Sequence, residues 1–289
     1  MYNSIGSELA LKKQTTKLEF GGRCILDLAI VGKTCICVVC NNVDTHKGLR
    51  IMGEDVQDYV VKKRGKGECN IAVLNQDTFY LYSPKEDYNI SAYFKIYEGR
   101  ITKVRKIHGE FDFATESGLI VRAPYIMSDD KVIYNQHDSV GWWYNSLNNH
   151  MLQPHVTWID RLDNALIYDE KLNKCRVLVQ HKPISSFVYQ ASTYTVVTKE
   201  WRTYHVWDER YNKQPINVYC SKSSHSLSDG ICGDYMYSRC SEFMNYKTGE
   251  IVESEAGKNL YRTFLITPDL CEYSHCRKTE VTKTQYAFV

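Results

Sequence analysis

A polar turn between two apolar strands recurs along this chain at a nearly fixed interval. The clearest copy runs Leu166-Ile167-Tyr168-Asp169, turns through Glu170 to Asn173, and returns as Lys174-Cys175-Arg176-Val177-Leu178-Val179. Tyr168 is answered 39 residues on by Trp207, in Tyr204-His205-Val206-Trp207-Asp208, and 39 further on by Tyr246, in Phe243-Met244-Asn245-Tyr246. In the N-terminal half, Cys40 and Tyr82 hold equivalent places 42 residues apart. A repeat of roughly 40 residues built from short strands marks a repeat array, and room for four strands per repeat predicts a propeller blade.

Each copy is apolar on both faces. Ile167 and Val206 point one way, while Leu166, Tyr168 and Trp207 point the other. A lone four-stranded sheet buries one face at most. Sheets stacked radially bury both. The steps Val206-Trp207-Asp208 and Ile167-Tyr168-Asp169 resemble the strand-ending dipeptide of WD40-like β-propeller repeats, each followed by a short polar turn. The Gly-His pair of that family is missing, and no Asp follows Tyr82, Tyr144 or Tyr246. The resemblance implies an architecture and carries no function. The expected fold is all-β: one propeller of six to seven blades over residues 1–289. A β-sandwich is the competing fold.

The apolar end Tyr286-Ala287-Phe288-Val289 is expected to close the ring by pairing near residues 22–31, which removes open sheet edges. The polar, basic start leaves room for a flexible segment over residues 1–21. Between Ile101 and Tyr144 the period is lost. Val132-Ile133-Tyr134 and Val140-Gly141-Trp142-Trp143-Tyr144 read as one more hairpin. Tyr144 precedes Tyr168 by only 24 residues, so either a blade has lost a strand here or the aromatic run is an insertion.

Composition narrows the function classes. Net charge is +2, so the basic excess of a nucleic-acid binder is missing. Eleven cysteines in no small-scaffold spacing, with no basic-then-apolar leader, read as free thiols in a reducing, cytoplasmic setting, a host cell's cytoplasm included. No apolar run has the length of a membrane helix.

No chemical motif stands out. Cys35 and Cys37 share a strand face and Cys40 lies opposite, which suits buried small hydrophobes better than a metal. Cys271, His275 and Cys276, with Cys232 and Cys240, lack paired zinc knuckles. Ser226-Leu227-Ser228-Asp229-Gly230 has no nucleophile frame and reads as a loop. Asp27, Asp138, Asp160, Asp169 and Asp208 are the carboxylates a propeller glycosidase would use, but Asp169 and Asp208 recur at one structural position, as turn caps do. No metal or cofactor is expected.

For partner binding, the candidates are the basic loop residues Lys62, Lys63, Arg64 and Lys66, and the pair Trp142-Trp143, of which a strand would turn one outward. The expected function is a non-enzymatic scaffold that displays loops to a protein partner. The alternatives are a propeller hydrolase acting on a glycan or peptide, with carboxylates converging at the ring's mouth, and a structural part of a viral or parasite assembly.

Overall fold

The structure, a computed structural model of the chain, describes all residues except 1–10, 42–47, 62–68, 83–91, 107–112, 123–124, 129–130, 136–142, 145–149, 161, 181–182, 212, 221–226, 239–241, 254–263, 267–270, 276–279 and 289. Its strands run β1 (Leu11–Glu19), β2 (Cys24–Val31), β3 (Thr34–Cys40), β4 (Arg50–Gly53), β5 (Val56–Val60), β6 (Asn70–Val73), β7 (Thr78–Tyr82), β8 (Ala92–Tyr97), β9 (Arg100–Lys106) and β10 (Phe113–Ala114). They continue with β11 (Ile120–Arg122), β12 (Tyr125–Ser128), β13 (Lys131–Asn135), β14 (Trp143–Tyr144), β15 (Thr157–Ile159), β16 (Asn164–Asp169), β17 (Lys174–Gln180), β18 (Ser186–Gln190), β19 (Thr195–Glu200) and β20 (Thr203–Asp208). The last are β21 (Asn217–Cys220), β22 (Leu227–Cys232), β23 (Tyr235–Ser238), β24 (Glu242–Asn245), β25 (Ile251–Glu253), β26 (Phe264–Ile266), β27 (Cys271–His275) and β28 (Glu280–Phe288).

Nearly all pairing is antiparallel between consecutive strands. It groups β2–β5, β6–β9, β10–β13, β14–β17, β18–β21 and β22–β25 into four-stranded meanders, here units 1 to 6. Units 1 and 2 touch through one parallel pair, Gln57 with Arg100. Unit 7 is β26, β27 and β28, completed by β1. The first strands of successive units lie side by side, β2 against β6 and β18 against β22. Each unit therefore presents its first strand inward and its fourth outward, and the chain is a β-propeller.

The ends clasp each other over nine residue pairs, from Leu11 opposite Phe288 to Glu19 opposite Glu280. This corrects two expectations. The terminal strand pairs with residues 11–19 rather than 22–31, and Leu11–Glu19, within the segment expected to be flexible, is strand. The sequence hides β1 because it is the outermost strand. Gln14 to Lys17 are exposed, so no apolar alternation marks it.

The core lies between units. Tyr168 and Leu166 face unit 3, where Phe113, Val121 and Ile126 meet them. Ile167 faces unit 5 and packs with Phe187, Val196 and Trp207. Val206 faces unit 6, whose Met236, Met244 and Tyr246 close over it. The three aromatics of the repeat thus share one role: each sits on or just past the third strand of its unit and covers the preceding unit. Cys40 lies in the core between units 1 and 2, while Cys35 and Cys37 lie on the other face of β3 with Val281 of unit 7. Units 1 and 2 approach closely at Gly32, whose φ is +62° and where a Cβ would stand 2.6 Å from the Gln76 carbonyl oxygen. Both facts favour glycine there.

The irregular middle also resolves differently from its sequence reading. β13 is the outer strand of unit 3 and β14 the inner strand of unit 4, so they form no hairpin with each other. Tyr144 sits on the first strand of the unit whose third strand bears Tyr168, which explains the short spacing. Leu227 to Gly230, expected in a loop, belong to β22, the inner strand of unit 6.

Candidate partner-binding site

The turns joining first to second strands and third to fourth strands gather on one face of the propeller. On this face the seam between units 4 and 5 is tied by charge. Arg176 at the start of β17 pairs with Glu209 of unit 5 and stands 3.6 Å from Asp169. Tyr189 donates its hydroxyl to Glu209 at 2.6 Å. The His155 ring lies tilted against the Tyr189 ring, centroids 5.6 Å apart, and burial holds its pKa below the ordinary value. Arg176 adds to that shift, while Glu170 and Glu116 oppose it. One seam back, Ser117 of unit 3 donates to Glu170 of unit 4 at 2.6 Å.

Beyond this network, unit 5 turns aromatic. Two short 3-10 turns, Ala191–Thr193 and Glu209–Tyr211, place Tyr194 and Tyr211 at the surface. Tyr194 has φ +56°, a conformation that costs a non-glycine residue about 1 kcal/mol or more. Two backbone bonds impose it: Tyr194 N donates to Ala191 O at 3.3 Å, and Glu209 N donates to Tyr194 O at 2.8 Å. The Arg210 guanidinium lies 5.0 Å from the Tyr194 ring centre and 5.9 Å from that of Tyr211. Asp208 grips it with both carboxylate oxygens, at 2.9 and 2.6 Å. That pairing lowers the Asp208 pKa and raises that of Arg210. Tyr211 is 71% exposed and Tyr194 46%.

On the opposite face, Trp201 fills a two-residue turn between β19 and β20, also at positive φ (+50°), and is 71% exposed. The positive φ costs about 1 kcal/mol or more, and the exposed indole buries no area to offset it. Among the described residues, twelve large hydrophobic side chains are exposed, and five of them (Tyr194, Trp201, Tyr211, Ile216 and Val218) belong to unit 5. Sequence reading missed this site. The available signal was Trp201-Arg202 between two clear strands, where a tight turn normally holds Asn or Gly.

Of the sequence-stated candidates, Lys62, Lys63, Arg64, Lys66 and Trp142 lie outside the described residues, and Trp143 is described only as the first residue of β14. Asp169 and Asp208 cap turns, accepting from Leu172 N at 3.1 Å and Arg210 N at 3.0 Å. Asp160 caps another, accepting from Leu162 N at 2.8 Å and Asn164 N at 2.9 Å. Asp138 lies outside the described residues.

Asp27 is different. It is 4% exposed on the inner strand β2. It accepts from Leu28 N at 2.9 Å and, across the seam, from Ile71 N at 2.7 Å. The His150 ring stands 3.0 Å from its oxygens. His150 belongs to a strap, residues 150–153, that leaves unit 4 between β14 and β15. The strap joins the inner edges of two other units: Ile30 N donates to His150 O at 2.8 Å, Gln153 N to Ala114 O at 2.9 Å, and Glu116 N to Gln153 O at 2.9 Å. Met151 packs into the core between units 7 and 1, and Leu152 into that between units 1 and 2. With its oxygens engaged, Asp27 is a tether for this strap. Among the described residues, no three His, Cys, Asp or Glu side chains gather as a metal ion requires, and no helix is long and apolar enough to cross a membrane.

The sequence matches no protein-family model and no curated protein. Solved structures with a similar fold include YCF48 from Cyanidioschyzon merolae, at 8% identity and a TM-score of 0.48 over 94% of this chain and 98% of that one. Another is Saccharomyces cerevisiae Sqt1, at 8% identity and a TM-score of 0.42 over 93% and 97%. The propeller rests on the strand pairing above, and neither likeness brings a function with it.

Proposed function

We propose that this propeller is a non-enzymatic protein-binding scaffold whose partner docks on unit 5 around Tyr194, Arg210 and Tyr211. The concentration of exposed aromatic and arginine side chains on this one unit carries the reading. Tyr, Trp and Arg are the residues that anchor interfaces, because each covers a large area and keeps a polar handle. Asp208 orients Arg210, and two backbone bonds set the course of the chain at Tyr194, which lowers part of the ordering cost of binding.

The test is affinity purification from native cells, with wild type beside Tyr194→Gly combined with Tyr211→Ala. Glycine suits the positive φ at 194, so the ring is removed without adding strain. Tyr97→Ala, at an exposed position of unit 2, is the control. The expected result is a partner held by wild type and the control and lost from the double variant, as truncation of anchors that each cost about 2 kcal/mol would give. Equal recovery with all three proteins would contradict the reading, as would turnover of a glycan or peptide substrate.

A further inference from the structure

The outer strands of a propeller expose unpaired N–H and C=O groups, and proteins blunt such edges with charge. Among the described residues, six of the seven outer strands follow that rule. β5 carries Asp58, β9 carries Arg100, Lys103, Arg105 and Lys106, and β13 carries Lys131. β17 carries Lys174 and Arg176, β25 carries Glu253, and β1 carries Lys12, Lys13, Lys17 and Glu19. The exception is β21, Asn217-Val218-Tyr219-Cys220, which has no charge at all. Among the described residues, no strand pairs with its outer edge.

The exposure of this edge has a pattern. Ile216 is 58% exposed and Val218 53%, and Cys220 is an exposed free thiol. The residues between them turn inward. Tyr219 donates its hydroxyl to Lys247 O of unit 6 at 2.8 Å, which anchors the strand from its other face. The exposed residues are therefore Ile216, Val218 and Cys220, a set nearly symmetric about Val218. Reversed against itself, this strand sets Val218 opposite Val218 and Ile216 opposite Cys220, apolar against apolar and with no charge in register. Any of the other six outer strands would bring at least one charged side chain to such a pairing.

We propose that β21 pairs antiparallel with β21 of a second copy of this chain, about a two-fold axis through Val218. The interface is isologous and joins two propellers edge to edge. A pairing of five residues per copy buries less than the roughly 1,200 Å² of stable complexes, so dissociation in the range of about 10 to 100 μM is expected. The proposal is independent of partner docking at Tyr194 and Tyr211, and either can fail without the other.

Sedimentation of the full chain from about 1 to 500 μM tests it, since that span brackets the expected constant. Wild type is expected to pass from monomer to dimer. Val218→Lys sets like charges directly opposite each other and is expected to weaken the dimer by about tenfold or more. Its circular dichroism and melting should match those of wild type. A second arm keeps the test independent of that variant's folding. In a Cys220→Ser background, Val218→Cys is expected to form an intermolecular disulfide between residues 218 faster than Val104→Cys at the charged edge of β9. A chain that stays monomeric throughout the range would overturn the proposal. So would a dimer unmoved by Val218→Lys, or equal cross-linking at positions 218 and 104. Pairing of the edge with an unrelated extended peptide in place of a second copy would overturn it as well.

Discussion

At the scale of single residues, the seam between units 4 and 5 carries a proton-linked group. His155 is half-buried beside Tyr189, and desolvation of the imidazolium depresses its folded pKa below the ordinary 6.5. A histidine depressed in this way keeps its full contribution above about 6.5 and loses it as pH falls toward and through the folded value, because the unfolded chain binds the proton first. Acidification from about pH 7 to 5 is therefore expected to lower the melting temperature of wild type more than that of His155→Gln. The gap between the two melting profiles should narrow with falling pH. A gap that stays constant would remove His155 from the account. The buried thiols follow the same physics. Burial raises the pKa values of Cys37 and Cys69, and takes that of the half-buried Cys175 to about 11, which disfavours their thiolates at neutral pH.

At the scale of elements, Asp27 ties the strap's His150 to the seam between units 1 and 2, beside the strap's own backbone bonds. Removing this carboxylate strands two buried backbone N–H groups and ends the contact with the His150 ring. Removing His150 leaves both N–H bonds in place. Asp27→Ala is expected to cost about 2 to 4 kcal/mol in urea unfolding and His150→Ala about half that or less. Equal losses would show that the imidazole, and not the two amides, carries the tether. What the sequence disclosed about its elements follows the same logic of side chains against backbone. Tyr168, Trp207 and Tyr246 were legible because interval and alternation report one place in the sheet, and all three cover the preceding unit. The strap was not, because it is held largely by backbone bonds that leave no mark on residue type. β14 was misassigned because only Trp143 and Tyr144 are paired in it, too few for any alternation. Tyr194, Trp201 and Tyr211 were passed over because aromatics in a strand-rich chain read as core.

At the scale of the whole molecule, the propeller is a set of sheets that complete one another. Units 1 to 6 are each built from consecutive strands, while unit 7 takes its fourth strand from the other end of the chain. Lys283 of β28 reaches Glu54 of unit 1 at 3.3 Å, and Val281 is fully buried against unit 1, so the clasp also carries the seam between the last unit and the first. Thr15 and Thr284 stand directly opposite each other in it, with hydroxyl oxygens 3.4 Å apart. The direct test is the pair Thr15→Cys and Thr284→Cys, mapped by mass spectrometry and followed by thermal melting. A ring closed by its ends is expected to form the 15–284 disulfide under mild oxidation and to melt higher for it, since the bond closes nearly the whole chain into one loop. Two thiols that stay reduced, or link only to other cysteines, would contradict the closed ring.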